Sequence, residues 1–197
     1  MGNLEFLKVF IASTFLIGTC ALAEIPNLSS PVTIDLAKVK ITDVVGTTPT
    51  FGKEGVAVFI EAGSRCPIMR RYSSTIESLS KSYEGKVQFY LVDSAAHDTR
   101  ESASAEAKDF NLSLSVLMDN GQNFARALGF IMSTQAAVVN LKTGDIIYRG
   151  AIDDSYTFDG PRLPKHPYLK DAIDAAIAGK VPALRTARAY GCAITFK

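Results

Sequence analysis

Cys66 is followed directly by Pro67, and Arg65, Arg70 and Arg71 stand close to it in the chain. Proline suits the first position of a helix, where a missing N–H costs nothing. That places Cys66 at the N-cap, where its sulfur can accept the free amides of the first turn. The helix dipole and the three arginines then favour thiolate over thiol. A thiolate is the form that attacks disulfides and peroxides. A cysteine can also serve as a small apolar core residue; the cap position and basic neighbours point instead to a reactive thiol. Cys192 stands in a tail carrying Pro182 and Gly191, long enough to fold back. It is read as a resolving partner for Cys66, as half of a static disulfide, or as a free thiol. His97 follows one strand pattern and His166 precedes a proline, positions where a lone histidine is usually solvated.

Composition narrows the field further. The chain has 197 residues, enough for one domain, and is 47% hydrophobic and 21% charged, which excludes a disordered or low-complexity protein. Twenty-one basic against 20 acidic residues give a net charge of +1, so no global field draws in nucleic acid or an anionic membrane. Three cysteines and two histidines exclude a four-thiolate zinc site and a scaffold of several disulfides. Cys66, Met69 and a histidine are soft enough for Cu(I), but one cysteine in that loop is a thin donor set. No metal and no other cofactor is expected.

The first residues read as a targeting segment. Val9 to Thr19 is an apolar run of signal-core length, followed by Ala21-Leu22-Ala23 as a small-x-small cleavage site. Cleavage there removes residues 1–23 and makes Glu24 the new N-terminus of a domain over 24–197. An uncleaved anchor, a buried N-terminal helix and a lipoprotein anchored through Cys20 are the alternatives. Export removes Cys20 and leaves Cys66 and Cys192 as an even pair in an oxidising compartment. After cleavage no membrane association is expected.

The elements that must position the cysteines follow from periodicity. Val32 to Leu36 alternates as a short strand does, and the continuous apolar run Val56 to Ile60 reads as a strand covered on both faces. Ile68, Tyr72, Ile76, Leu79 and Tyr83 mark one face of a helix ended near Gly85. Val87 to Val92 is a second strand. A helix over Glu101 to Phe110 is capped by Thr99 or Asp98, and a shorter one over Asn123 to Leu128 is closed by Gly129. Ala136 to Asn140 and Ile146 to Arg149 form a hairpin. The last helix has Pro167 in its first turn, ends at Gly179 and buries Leu169, Ile173, Ala176 and Ile177. The order predicts one α/β domain, a central mixed sheet with an antiparallel edge and flanking helices.

Strand, loop, Cys-Pro, helix, then strand, helix, hairpin and helix resembles the thioredoxin fold. More narrowly, the chain is similar to the peroxiredoxin-like redoxins of the AhpC/TSA type. Three segments carry the resemblance: Cys66-Pro67-Ile68-Met69-Arg70-Arg71-Tyr72, Tyr148-Arg149-Gly150-Ala151-Ile152-Asp153-Asp154, and Gly191-Cys192-Ala193-Ile194. The resemblance runs from about Val56 to Phe196. It implies a thiol-dependent oxidoreductase that reduces a peroxide or a disulfide. Cys66 would attack, Cys192 would resolve, and Arg65, Thr134 and Arg149 would line the substrate pocket. Its partner would be a thiol reductant or a thioredoxin-like electron donor. A thioredoxin-fold module that binds a peptide or Cu(I), or a stapled scaffold, is the alternative. The chain departs from the family pattern at three places. Met69 stands where thioredoxins have a second cysteine. Phe59 and Gly63 stand where peroxiredoxins have proline and a hydroxyl residue, leaving Ser64 as the nearby hydroxyl. Gln135 follows Thr134 where the fold usually has a cis-proline, so a trans peptide is expected. The Asp153-Asp154 stretch beyond Arg149 is read first as a turn held by local charge pairing.

Overall fold

A computed structural model describes residues 32–63 and 65–197. Residues 1–23, read above as a targeting segment, and Ser64 therefore lie outside the described residues. Among the described residues, no helix is long and apolar enough to cross a membrane.

The run beginning at Val56 becomes β2 (Val56–Glu61), buried at every position. It pairs in parallel with β3 (Val87–Asp93) and antiparallel with β5 (Ala136–Asn140). Outside β3 lie β4 (Ser115–Met118), parallel to it, and β1 (Thr42–Asp43), antiparallel to β4. On the other side β6 (Ile146–Gly150) runs antiparallel to β5, and β9 (Thr186–Ala187) runs parallel to β6. The sheet order is β1-β4-β3-β2-β5-β6-β9. A separate small ribbon joins β7 (Tyr156–Thr157) to β8 (Gly160–Pro161).

Helices cover both faces, which is why β2 has no polar alternation. α1 (Pro67–Ser82), α2 (Arg100–Asp109) and α4 (Tyr168–Ile177) pack with Val56, Val58 and Ile60 on one face. α3 (Asn123–Leu128) and Phe130 pack with Ala57 and Phe59 on the other. Thr99 caps α2 through a reciprocal bond with Ser102, and Gly129 closes α3 in the left-handed region at φ 71°.

Three expectations change. Val32 to Leu36 is not a strand: Thr33 makes one bridge to Asp145, and the Asp35 carboxylate accepts the Ala37 amide to start a 3-10 turn over Leu36–Lys38. That local capping outcompetes further pairing. Ile177 is 47% exposed, because α4 ends there and turns its last residue outward. Pro167 caps α4 from outside rather than lying in its first turn.

Candidate active site

α1 begins as its sequence dictates, with Pro67 in the first turn and Cys66 at the N-cap with extended backbone. The Cys66 thiol is wholly buried beneath the loop that precedes β5. No first-turn amide bonds the sulfur with full capping geometry, but the Met69 N–H is directed at it and favours its charge. The decisive neighbours come from elsewhere in the chain. The Ser133 hydroxyl and the Cys192 thiol both lie against the Cys66 sulfur. Burial pushes the Cys66 thiol up, yet the bonds from Ser133, Cys192 and the Met69 amide outweigh it, and the thiol falls below its ordinary value. Cys192 moves the other way, to about 11, driven first by burial and then by its bond to Cys66 and the charge it faces. Both thiols are free. Within the pair the negative charge is thus favoured on Cys66 over Cys192.

The tail is fixed where this pairing needs it. The Ser133 amide donates to the Cys192 carbonyl at 2.8 Å, and the Cys192 amide donates to Ser133 Oγ at 2.9 Å. Gly191 is required here, because a Cβ on it would lie 2.0 Å from the Ser133 carbonyl oxygen. Thr134 adopts φ 70°, an uncommon conformation for a β-branched residue. Its amide donates to the Glu61 carbonyl at 2.8 Å and its hydroxyl to the Tyr190 carbonyl at 2.8 Å. Gln135, fully buried, accepts the Ile131 amide at 2.6 Å and the Met132 amide at 3.2 Å, closing the loop from inside. Every described peptide bond is trans.

The loop before Cys66 rests on buried carboxyls. Glu61 ends β2 at 1% exposure. Its Oε1 accepts the Ser94 hydroxyl at 2.9 Å and, more weakly, the amides of Gly63 and Ser94, whereas Oε2 has no hydrogen-bond partner. Burial pushes Glu61 up to about 8, against the Ser94 hydrogen bond. Asp93, at the end of β3, is raised to about 7 by burial and then by the charge of Asp98. Glu106 of α2 reaches about 7 through burial, although it accepts the Arg65 amide at 3.2 Å. Gly63 passes between two of these groups; a Cβ there would lie 2.9 Å from Asp93 Oδ1 and 3.2 Å from Glu61 Oε1.

The sequence-derived residues divide accordingly. Cys66, Cys192 and Thr134 come together, with the Thr134 hydroxyl committed to holding the tail. Arg65 occupies the turn before Cys66 at φ 47°, its side chain exposed at the rim. The thiolate is favoured by hydrogen bonds rather than by the arginines: Arg70 sits over the Phe110 ring at 5.5 Å. Arg149 is not brought to the site. It pairs in register with Ala137, on the α3 side of the sheet, and its guanidinium donates to the Leu128 carbonyl at 3.3 Å. The Asp153-Asp154 stretch is a structural clasp. Asp153 accepts the Tyr72 hydroxyl at 2.8 Å, while Asp154 pairs with Arg162 and accepts the amides of Lys165 and His166. Neither histidine is at the site: His97 is exposed beside Asp98, and His166 stacks on Tyr168.

Ser133 and the three carboxyls were not singled out in the sequence. Glu61 and Asp93 left a signal, since each is an acid ending an apolar run at the carboxyl end of a central strand, where α/β sites lie. Ser133 left none.

No family model and no curated protein matches the chain. Among solved structures, a hypothetical protein of Sinorhizobium meliloti 1021 superposes with a TM-score of 0.69 at 22% identity, covering 80% of this chain and 90% of that one. An uncharacterized conserved protein of Geobacillus kaustophilus gives 0.68 at 21%, covering 85% and 89%. A candidate thioredoxin from Neisseria meningitidis gives 0.54 at 19%, covering 75% and 90%. The chain has a thioredoxin-like fold. Within that fold Cys66 opens the first long helix, and Cys192 reaches its sulfur from the far end of the chain.

Proposed function

We propose that this thioredoxin-like chain is an exported thiol-dependent oxidoreductase, with Cys66 as attacking thiolate and Cys192 as resolving thiol. The observation that carries the reading is the pairing of the two sulfurs with opposite displacements of their acidities. With a disulfide substrate, the Cys66 thiolate attacks one sulfur, forms a mixed disulfide and releases one substrate thiolate. Cys192 then loses its proton and attacks the Cys66 sulfur, forming the Cys66–Cys192 disulfide and releasing the second thiolate. Two electrons pass from the cysteine pair to the substrate, and an external thiol donor restores the pair. With a peroxide, Cys66 takes one oxygen as sulfenic acid and an alcohol or water leaves; Cys192 displaces water to give the same disulfide. Arg65 lines the entrance, and Thr134 shapes it by holding the tail.

The peroxiredoxin-like assignment within the fold rests on the three sequence segments quoted above. Export rests on Val9 to Thr19 and the Ala21-Leu22-Ala23 site. The test is turnover of the protein starting at Glu24 with a peroxide and with a disulfide, alongside Cys66→Ser and Cys192→Ser. Loss of turnover in Cys66→Ser and trapping of a mixed species in Cys192→Ser are expected. No turnover by the unaltered protein with either oxidant would leave a binding module or a stapled scaffold.

A further inference from the structure

A cleft of about 700 Å³ opens at the end of the sheet opposite the cysteines, within the range of small-molecule sites. Cys66 follows the carboxyl end of β2, whereas the cleft lies before its amino end, about 20 Å away along six residues of strand. One wall is the segment from Thr33 to Val39, the other runs from Thr48 to Lys53, and the turn from Leu141 to Gly144 closes it. Main-chain bonds pin the first wall. The Ile34 amide donates to the Gly144 carbonyl and the Ile146 amide to the Val32 carbonyl, both at 2.8 Å. Gly144 comes so near that a Cβ on it would stand 2.2 Å from the Ile34 carbonyl oxygen. The floor is apolar and preformed. Leu36, Val39, Phe51 and Leu141 line the cleft, each half-buried and packed against the core that holds Phe59 and Phe124. The Phe51 ring is fixed edge-on to Phe59 and Tyr90, with centroids 5.6 and 5.4 Å apart.

Three charged side chains line the cleft: Asp35, Lys53 and Lys142. Asp35 is paired with Lys38 at 2.9 Å. Lys53 and Lys142 are exposed and make no ion pair among the described residues. The Leu141 amide donates to the Gly55 carbonyl at 3.0 Å, so the two lysines leave adjacent segments at one end of the cleft. An apolar trough with two cations at one end matches a molecule built the same way, with an apolar body and one anionic head. Covering the half-buried side chains supplies affinity, and the ammonium groups supply orientation. We infer that this cleft binds a free single-chain amphiphile with a carboxylate head, the head at Lys53 and Lys142 and the chain along Leu36, Val39 and Phe51. A cationic amphiphile finds like charge at the head position, and a short carboxylate lacks the apolar burial. The site is independent of the cysteine pair and of the role proposed for it.

The test titrates the full chain with dodecanoate, kept below its micelle concentration, and follows amide hydrogen exchange along the sequence. Saturable protection is expected at residues 33–39, 48–53 and 141–144. Dodecylammonium is expected to bind about tenfold more weakly or worse, and acetate to protect nothing. The double variant Lys53→Glu, Lys142→Glu changes two exposed side chains and should reverse the preference between the two amphiphiles. Equal affinity of the unaltered chain for dodecanoate and dodecylammonium overturns the inference, as does unchanged dodecanoate affinity in the variant. Protection confined to the apolar run Val9 to Thr19 overturns it too. Full protection of the cleft before any ligand is added would mean that the chain fills its own cleft, and the inference falls. If the variant fails to fold, the two amphiphiles on the unaltered chain decide.

Discussion

Ser133 and Cys192 hold each other by both main chain and side chain: the Ser133 amide donates to the Cys192 carbonyl, and the Cys192 amide donates to the Ser133 hydroxyl oxygen. The Ser133 hydroxyl proton faces two acceptors, the Cys192 carbonyl at 3.4 Å and the Cys66 sulfur. Ser133→Ala removes that donor and the acceptor for the Cys192 amide together. The midpoint of Cys66 alkylation against pH is expected to rise, with slower reaction near neutral pH. A single hydrogen bond of this kind is worth about 1 kcal/mol to stability, so the variant should fold. An unmoved midpoint would remove Ser133 from the site.

Oxidation should convert the contact between Cys66 and Cys192 into a covalent one. Mass mapping of the oxidised protein is expected to recover a peptide pair linked through these residues. The loop so closed is long, and the chain-entropy account gives up to about 5 kcal/mol of added stability. Denaturant unfolding of oxidised against reduced protein measures it, and a Cys192→Ser chain should show no such difference.

Gly191→Ala probes the tail without touching either sulfur. Its Cβ would stand 2.0 Å from the Ser133 carbonyl oxygen, so the tail must lift locally. Disulfide formation is expected to slow by tenfold or more while the melting temperature falls little. A disulfide rate equal to that of the unaltered chain would show that the close approach is dispensable.

Stability should decline as pH rises through the neutral range. Glu61 is raised to about 8 and Asp93 and Glu106 to about 7, each chiefly by burial. The folded chain therefore binds more protons than the unfolded one between the ordinary carboxylate range and these values. Their stabilising effect is full below about pH 4 and is lost as pH climbs to about 8. Thermal melts from pH 5 to pH 8.5 measure the slope, and Glu61→Gln should flatten its upper part. A slope unchanged by that substitution would contradict the assignment.

The proposed export predicts a chain that begins at Glu24. Intact mass of the protein recovered outside the cytoplasm checks this, and retention of residues 1–23 would remove the argument for an oxidising setting.

Much of the fold was legible because buried strands write themselves as apolar runs, as Val56 to Ile60 does, and helices as steps of three and four. β4 was missed because four residues carry too little pattern, and β1 and β9 exist only through the neighbours they pair with. Cys66 was legible from local rules of helix starts, whereas its partnership with Ser133 is a tertiary event with no periodicity behind it. Arg149 was misplaced for a different reason. Its burial was invisible in the sequence, and an irregular register between Val138 and Val139 complicates which face each hairpin side chain takes.

Glu61 has a consequence for anyone scoring variants of this chain. Its amide donates to the Gln135 carbonyl at 2.9 Å, its carbonyl accepts the Thr134 amide, and its carboxyl reaches Gly63 and Ser94. One residue thus clamps the cysteine loop and the Ser133 loop at the same height. In an activity-based mutational screen, bulky or charged replacements at Glu61 would rank beside those at Cys66, although Glu61 contacts neither sulfur. Only a screen that also records folded abundance would separate the keystone from the nucleophile.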